Sequence, residues 1–201
     1  MKSALLLSGG IDSIAIAYWK RPALAVTIDY GQLPFEGELR AAKAVAESLQ
    51  IPHEIIRVDC SSLGAGDLCN GPQLAASPVS EWWPYRNQLL ITLTAMKVIQ
   101  YGVNELLIGT VATDNIHADG QPQFVQQISQ LMAFQEGGLK IAAPALAFDS
   151  VELVKASAIP ASLLFHAHSC HKAAVACGEC RGCHKYRSVM YSLFHEDGLY
   201  Y

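Results

Sequence analysis

Charge is scarce in this chain, and the charge it has is not basic. Asp, Glu, Lys and Arg make up 16% of its 201 residues, where a typical soluble domain carries ~25%. Because 51% of the residues are apolar, disorder is excluded. A large buried core is expected, with apolar surface left over for a homodimer. Lys and Arg number 14 against 18 Asp and Glu, a net charge of −4. No positive excess is present to hold a phosphate backbone non-specifically. That argues against a dedicated nucleic-acid binder, while leaving room for a tRNA-modifying enzyme with a local patch. No apolar run approaches the ~20 residues that span a bilayer, and no cleavage pattern follows the short apolar stretch after Met1-Lys2-Ser3. The expectation is a soluble, cytoplasmic protein without a membrane partner. Internal repeats and low-complexity tracts are absent, and the length fits one domain over 1–201.

The dispersed cysteines of a secreted disulfide scaffold are also missing. Of the six cysteines, Cys60 and Cys69 stand apart, and Cys170, Cys177, Cys180 and Cys183 fall within fourteen residues. Clustering at two-residue spacings points to a metal. Four thiolates close a tetrahedral zinc shell, which makes a structural site, with Gly178 and Gly182 allowing the tight turns. A Cys177–Cys180 redox pair and an iron–sulfur cluster are the alternatives. His168, His171 and His184 flank the cluster, and local surface or supporting roles suit them better than ligation.

Short β-like runs alternate with amphipathic segments over the first two thirds. Strands are expected at 4–7, 23–28, 55–58, 106–108 and 140–143. Helices are expected at 13–19, 36–49, 86–101 (closed by Gly102) and 123–136. Segment 60–84 reads as a long loop and therefore as functional or mobile. About 150–201 reads as a helix, a cysteine knuckle and a final helix. The alternation predicts an α/β fold, a doubly wound parallel sheet, with ligands beyond the carboxyl ends of the strands.

Ser8-Gly9-Gly10-Ile11-Asp12-Ser13 lies between the first strand and the first helix. Its glycines let backbone N–H groups converge on an anion. The helix start adds partial positive charge, and Ser8 and Ser13 add hydroxyl donors. Asp12 would repel phosphate, so it suits a helix cap or a Mg2+ ligand. An ordinary glycine turn is the bland alternative for Gly-Gly alone. The six residues together resemble the pyrophosphate loop of the ATP pyrophosphatases, whose members release pyrophosphate while forming an adenylate. No Gly-x-x-x-x-Gly-Lys-Ser/Thr motif is present.

Four more elements resemble the 7-cyano-7-deazaguanine synthase family within that superfamily. They are Asp29-Tyr30-Gly31-Gln32, Pro84-Tyr85-Arg86-Asn87, Ile108-Gly109-Thr110 followed by Asp114, and the cysteine knuckle with Arg187 after it. The chain is identified as a diverged member. The resemblance implies a Rossmann-like, adenine-nucleotide-hydrolase-type sheet with a small C-terminal four-cysteine zinc knuckle. It further implies ATP binding at Ser8, Gly9, Gly10, Asp12, Ser13, Tyr30 and Gly109. Catalytic roles fall to Asp12, Arg86 and Asp114, and substrate contacts to Arg86, Asn87, Asp119 and Phe124. The cofactors implied are structural Zn2+ and ATP with Mg2+.

Three departures stand out. Leu33-Pro34 replaces the family's Arg-His, and 118–124 replaces its substrate stretch. Ser150-Val151 carries no lysine where the family has a Ser/Thr-Lys pair, with Lys140 or Lys155 as substitutes. Trp82-Trp83 could stack on a flat base or bury in an interface.

The function implied is an ATP-dependent carbon–nitrogen ligase. It would convert 7-carboxy-7-deazaguanine with ammonia to the amide and then the nitrile, releasing AMP and pyrophosphate. The altered substrate loop also admits a defence-system enzyme that joins a deazaguanine to a protein or nucleic-acid amine. The missing lysine admits an inactive ATP-binding and zinc scaffold. A tRNA thiolase would need a catalytic cysteine near the site, for which Cys60 and Cys69 are the candidates.

Overall fold

The computed structural model describes residues 2–195. The end of the expected C-terminal region, 196–201, lies outside them. Five parallel strands form the sheet: β1 (Ser3–Leu6), β2 (Leu24–Asp29), β3 (His53–Arg57), β4 (Glu105–Leu107) and β5 (Lys140–Ala142). Their order is β3-β2-β1-β4-β5. Helices α1 (Ile11–Lys20), α2 (Phe35–Leu49), α3 (Arg86–Val98) and α4 (Pro122–Phe134) make the crossovers. Three more, α5 (Ser150–Ser157), α6 (Ala161–Leu164) and α7 (Arg181–Phe194), follow the last strand.

Strand alternation sorts the core into two layers. Leu5, Leu7, Ala25 and Leu107 point to one face and pack with α1, α2, α5, α6 and α7. Ala4, Val26, Ile28, Leu106 and Ile108 point to the other and pack with α3 and α4. Both faces are covered, which is why the strands read as unbroken apolar runs. Residues 60–84 hold two single 3-10 turns, Ser61–Leu63 and Gly66–Leu68, and otherwise form the loop expected. α3 extends through a 3-10 turn at Ile99–Tyr101 and ends on Gly102 in the left-handed region.

The chain leaves β1 in one direction for β2 and β3, then crosses back to β4 on its other side. That reversal opens a crevice between the carboxyl ends of β1 and β4, where an open α/β sheet binds ligands. α5 starts on a reciprocal cap: the Asp149 carboxylate accepts from Glu152 N–H at 2.8 Å, and Glu152 accepts from Asp149 N–H at 2.9 Å. Among the described residues no helix is long and apolar enough to cross a membrane.

Candidate active site

The crevice is a cavity of about 330 Å³ reaching from the phosphate-type loop after β1 to the N-terminus of α3. At the first end, Ser8 Oγ and Ser13 Oγ lie 3.2 Å apart, and Ser13 Oγ donates to Gly10 C=O at 2.9 Å. Gly10 precedes α1 and no side chain caps that helix, so its first N–H groups remain available to an anion. Gly9 sits at φ +77° and has no room for a Cβ against the Glu38 carbonyl. It packs the loop onto α2 and does not line the cavity. The loop is braced from behind, where His168 N–H donates to Gly9 C=O at 2.9 Å.

Asp12 occupies the first turn of α1 and does not cap it. One of its oxygens, Oδ2, accepts from Lys185 Nζ at 2.8 Å, while Oδ1 is buried without a partner. Asp114, from the loop after β4, approaches the same ammonium at 3.8 Å. Its other oxygen accepts from Val111 N–H at 3.1 Å. Hard divalent cations take carboxylate oxygens, so an orphaned buried oxygen beside a second carboxylate fits Mg2+. Burial alone would lower the pKa of Lys185, but the Asp12 and Asp114 charges outweigh it and the group is raised.

Lys185 is the residue that sequence reasoning missed. Lys140 opens β5, at the end of the sheet away from the crevice, and Lys155 lies exposed on α5. The cation comes instead from α7, two residues past the last cysteine of the knuckle. That spacing was the one signal in the sequence.

At the second end, Arg86 and Asn87 begin α3 and line the cavity. Tyr85 before them is left-handed, at φ 56°. Tyr30 is buried, its ring edge-on to Trp83 at 5.0 Å, and burial raises its hydroxyl pKa. Trp83 is therefore core, and neither a base platform nor an exposed interface. Gln32 Nε2 bridges from Ile28 C=O at 2.9 Å to Glu38 Oε2 at 2.8 Å. Burial pushes the Glu38 carboxyl up to about 7, against the opposing effects of Gln32 and Arg86. Gly109 passes beside Ser13 at the end of β4, and Asp119 also lines the cavity. Phe124 does not: it packs half-buried against the core of the α3–α4 face. Cys60 is buried in that same core and Cys69 is half-buried outside the cavity, so neither faces the cleft.

The four clustered cysteines converge, all their sulfurs within 4.8 Å of one another. Tetrahedral Zn–S bonds of ~2.3 Å put sulfurs ~3.8 Å apart, and Cys177–Cys183 and Cys170–Cys180 are each 3.9 Å apart. The donor set and its size therefore fit one thiophilic ion. Backbone N–H groups of Glu179 and Cys180 pull the Cys177 thiol down to about 6, whereas burial pushes Cys183 up to about 12. The flanking imidazoles stand outside the sulfur cluster. His168 Nε2 is 3.0 Å from Ala173 O, His184 Nδ1 pairs with exposed Arg187 at 2.9 Å, and the buried His171 Nδ1 has no hydrogen-bond partner, while the backbone N–H of His171 donates to Cys180 Sγ at 3.3 Å. Cys180 also caps α7, its sulfur accepting from Cys183 N–H at 3.5 Å. The knuckle is tied to loop 60–84 by Lys172–Asp67 at 3.5 Å and Arg181–Glu81 at 3.2 Å.

The fold is shared with the U34-tRNA thiolase NcsA of Methanococcus maripaludis, solved with its [4Fe-4S] cluster. The TM-score is 0.55 at 17% identity, over 98% of this chain and 66% of the thiolase. In sequence the chain is 29% identical to the 7-cyano-7-deazaguanine synthase of Desulforudis audaxviator, covering 92% of this chain and 94% of that enzyme. It is 27% identical to the synthase of Porphyromonas gingivalis, covering 98% and 94%. The model of the queuosine biosynthesis protein QueC matches residues 2–192, and with that span the chain belongs to the QueC family.

Proposed function

We propose that the protein is an ATP-dependent carbon–nitrogen ligase of the AMP-forming kind, acting on 7-carboxy-7-deazaguanine and ammonia. The observation that carries this reading is one crevice with two chemically different ends. Anion donors and a carboxylate pair lie at the loop after β1, and Arg86 with Asn87 faces them from the start of α3.

The Ser8 and Ser13 hydroxyls and the open N-terminus of α1 bind the pyrophosphate unit of ATP. Asp12 and Asp114 hold Mg2+, which neutralises phosphate charge when bound. Tyr30 and Gly109 flank the nucleotide. Arg86 and Asn87 direct the substrate carboxylate, and Asp119 stands at the deazaguanine. A carboxylate oxygen attacks the α-phosphorus and the bond to the β-phosphate breaks, giving the adenylate and pyrophosphate. Ammonia attacks the acyl carbon, AMP leaves, and the surplus proton passes to solvent, giving the amide. Adenylation of the amide oxygen by a second ATP, then loss of AMP and protons, leaves the nitrile. The protein's part is positioning and charge stabilisation, and no cysteine of the chain is needed in any step. The knuckle holds Zn2+ as a structural ion that fixes the start of α7.

The test is mass spectrometry of 7-carboxy-7-deazaguanine, ATP, Mg2+ and ammonium with wild type and Asp12→Ala. Nitrile and AMP from wild type alone are the expected result. Amide without nitrile would redirect the second half of the reaction, and a deazaguanine adduct on a protein would make the acceptor a macromolecular amine. ATP binding with no AMP formed would overturn the reading in favour of a scaffold.

A further inference from the structure

The phosphate end of the crevice carries an electrostatic conflict. Two carboxylates, Asp12 and Asp114, stand at the mouth of a loop built to receive an anion, and among the described residues Lys185 alone bridges them. The arginines lining the cavity are committed elsewhere. Arg181 is paired with Glu81 at 3.2 Å, and Arg86 lies by Tyr30 and Glu38 at the far end. We propose that Lys185 is a polyphosphate-binding residue: when the two carboxylates take a divalent cation, its ammonium passes from them to the pyrophosphate unit of ATP. The assignment rests on the ATP-dependent reading above and adds a residue to it.

Three observations support it. The first is reach. Lys185 is a flexible four-carbon stem ending in three donors, and its Nζ already sits at the carboxylate whose second oxygen is orphaned. The second is anchoring. Gly182, one turn before it, leaves no room for a Cβ against the Ser169 carbonyl and His171 ring. Cys180 and Cys183 lock the same turn into the sulfur cluster. The start of the helix is therefore fixed by packing, and the long side chain is the flexible part. The third is charge. Two carboxylates with one ammonium leave a surplus negative charge beside the loop, which repels polyphosphate. A divalent cation on the carboxylates reverses that sign and releases the lysine in the same event. The α5 start cannot do this work, because Val151 follows Ser150 there.

Calorimetric titration of the metal-loaded protein with ATP, pyrophosphate and AMP, all with Mg2+, tests it. Lys185→Met is expected to weaken ATP and pyrophosphate ~10-fold or more, the scale of one charge-assisted hydrogen bond. AMP should stay within about threefold of wild type, and Lys185→Arg should recover most of the loss. Lys185→Gln, which keeps a donor but carries no charge, is the second variant and should show the same selective loss. Thermal melting and bound-metal content establish that each variant is folded. Unchanged pyrophosphate binding in folded Met and Gln variants would overturn the assignment alone. An equal loss for all three ligands would give Lys185 a merely structural role and also overturn it. Wild type that binds neither ATP nor pyrophosphate would overturn the ATP-dependent reading itself.

Discussion

Lys185 Nζ stands 2.8 Å from Asp12 Oδ2 although 173 residues separate the two along the chain. The contact joins the first phosphate-type loop to the last described helix, and it sets what removal of either partner does. Asp12→Asn keeps the size of the side chain and an acceptor oxygen but removes the charge, leaving Asp114 as the one carboxylate beside Lys185 among the described residues. Activity is expected to fall by about 10² or more, the usual scale for one preorganised electrostatic group. Stability should change little, since Lys185 is partly exposed and can be solvated. Steady-state AMP release and a urea melt on the same preparation check both halves.

Gly9 is a position where geometry forbids a side chain. Its φ of +77° strains any L residue, and a Cβ would run into the Glu38 carbonyl and the Ala41 side chain on α2. Gly9→Ala is expected to cost about 1–3 kcal/mol and to tilt the loop off its seat, weakening ATP binding as well. Gly10→Ala is the control: its nearest neighbours, at 3.6 and 3.9 Å, leave room for a methyl group. Chemical denaturation of both variants distinguishes strain at Gly9 from a general intolerance of the loop.

Glu38 gives a pH signature. Burial raises its carboxyl from 4.5 to about 7 in the folded protein, so between those values the native state holds a proton that the unfolded chain has released. Its contribution to stability is therefore full below about 4.5 and is lost as pH rises to about 7. Glu38→Gln removes this term. The stability of the variant relative to wild type should rise across that window and level off above it. A flat difference curve would mean that the carboxyl is solvated and titrates normally.

The parallel α/β order was legible because both sheet faces are covered, which forces unbroken runs such as Ala4–Leu7. Strand limits came within one or two residues, β1 being 3–6 where 4–7 was expected. The sulfur cluster was legible because its ligands are close in sequence, and sulfurs at two-residue spacings meet almost regardless of the fold. Lys185 was not legible, because its partner lies on the other side of the chain's whole path. Trp83 was ambiguous for a related reason. An aromatic residue in a loop reads as surface until the loop is seen folded down on Tyr30. Phe124 was chosen by position in a family pattern, and the first turn of α4 points it at Val125's core neighbours instead of the cleft.

Metal content is the next check. One Zn2+ per chain is expected by elemental analysis, with no iron and no visible charge-transfer absorption. Cys180→Ser should lose the ion and destabilise more than Cys177→Ser, because Cys180 is buried and also caps α7 whereas Cys177 is exposed. Chelation should lower the melting temperature and weaken pyrophosphate binding together, since α7 carries Lys185.

The Arg181–Glu81 pair separates the loop's role from the knuckle's. Glu81 is 9% exposed in its side chain and Arg181 43%, at 3.2 Å. Removing the arginine strands a buried carboxylate, whose cost exceeds what the pair contributed. Removing the carboxylate leaves an arginine that water can reach. Arg181→Met is therefore expected to destabilise by about 1–2 kcal/mol, an amount discounted for the exposed partner, and Glu81→Gln by less. The double variant should recover part of the arginine loss, because the stranded charge is gone. The same cycle read in activity tells whether loop 60–84 shapes the crevice. If it does, Arg181→Met raises KM for the deazaguanine while AMP binding holds, because Glu81 lines the cavity together with Arg86. Coupled stabilities with unchanged KM would show that the ion pair only fastens the loop, and additive stabilities would show that the two side chains do not stabilise each other.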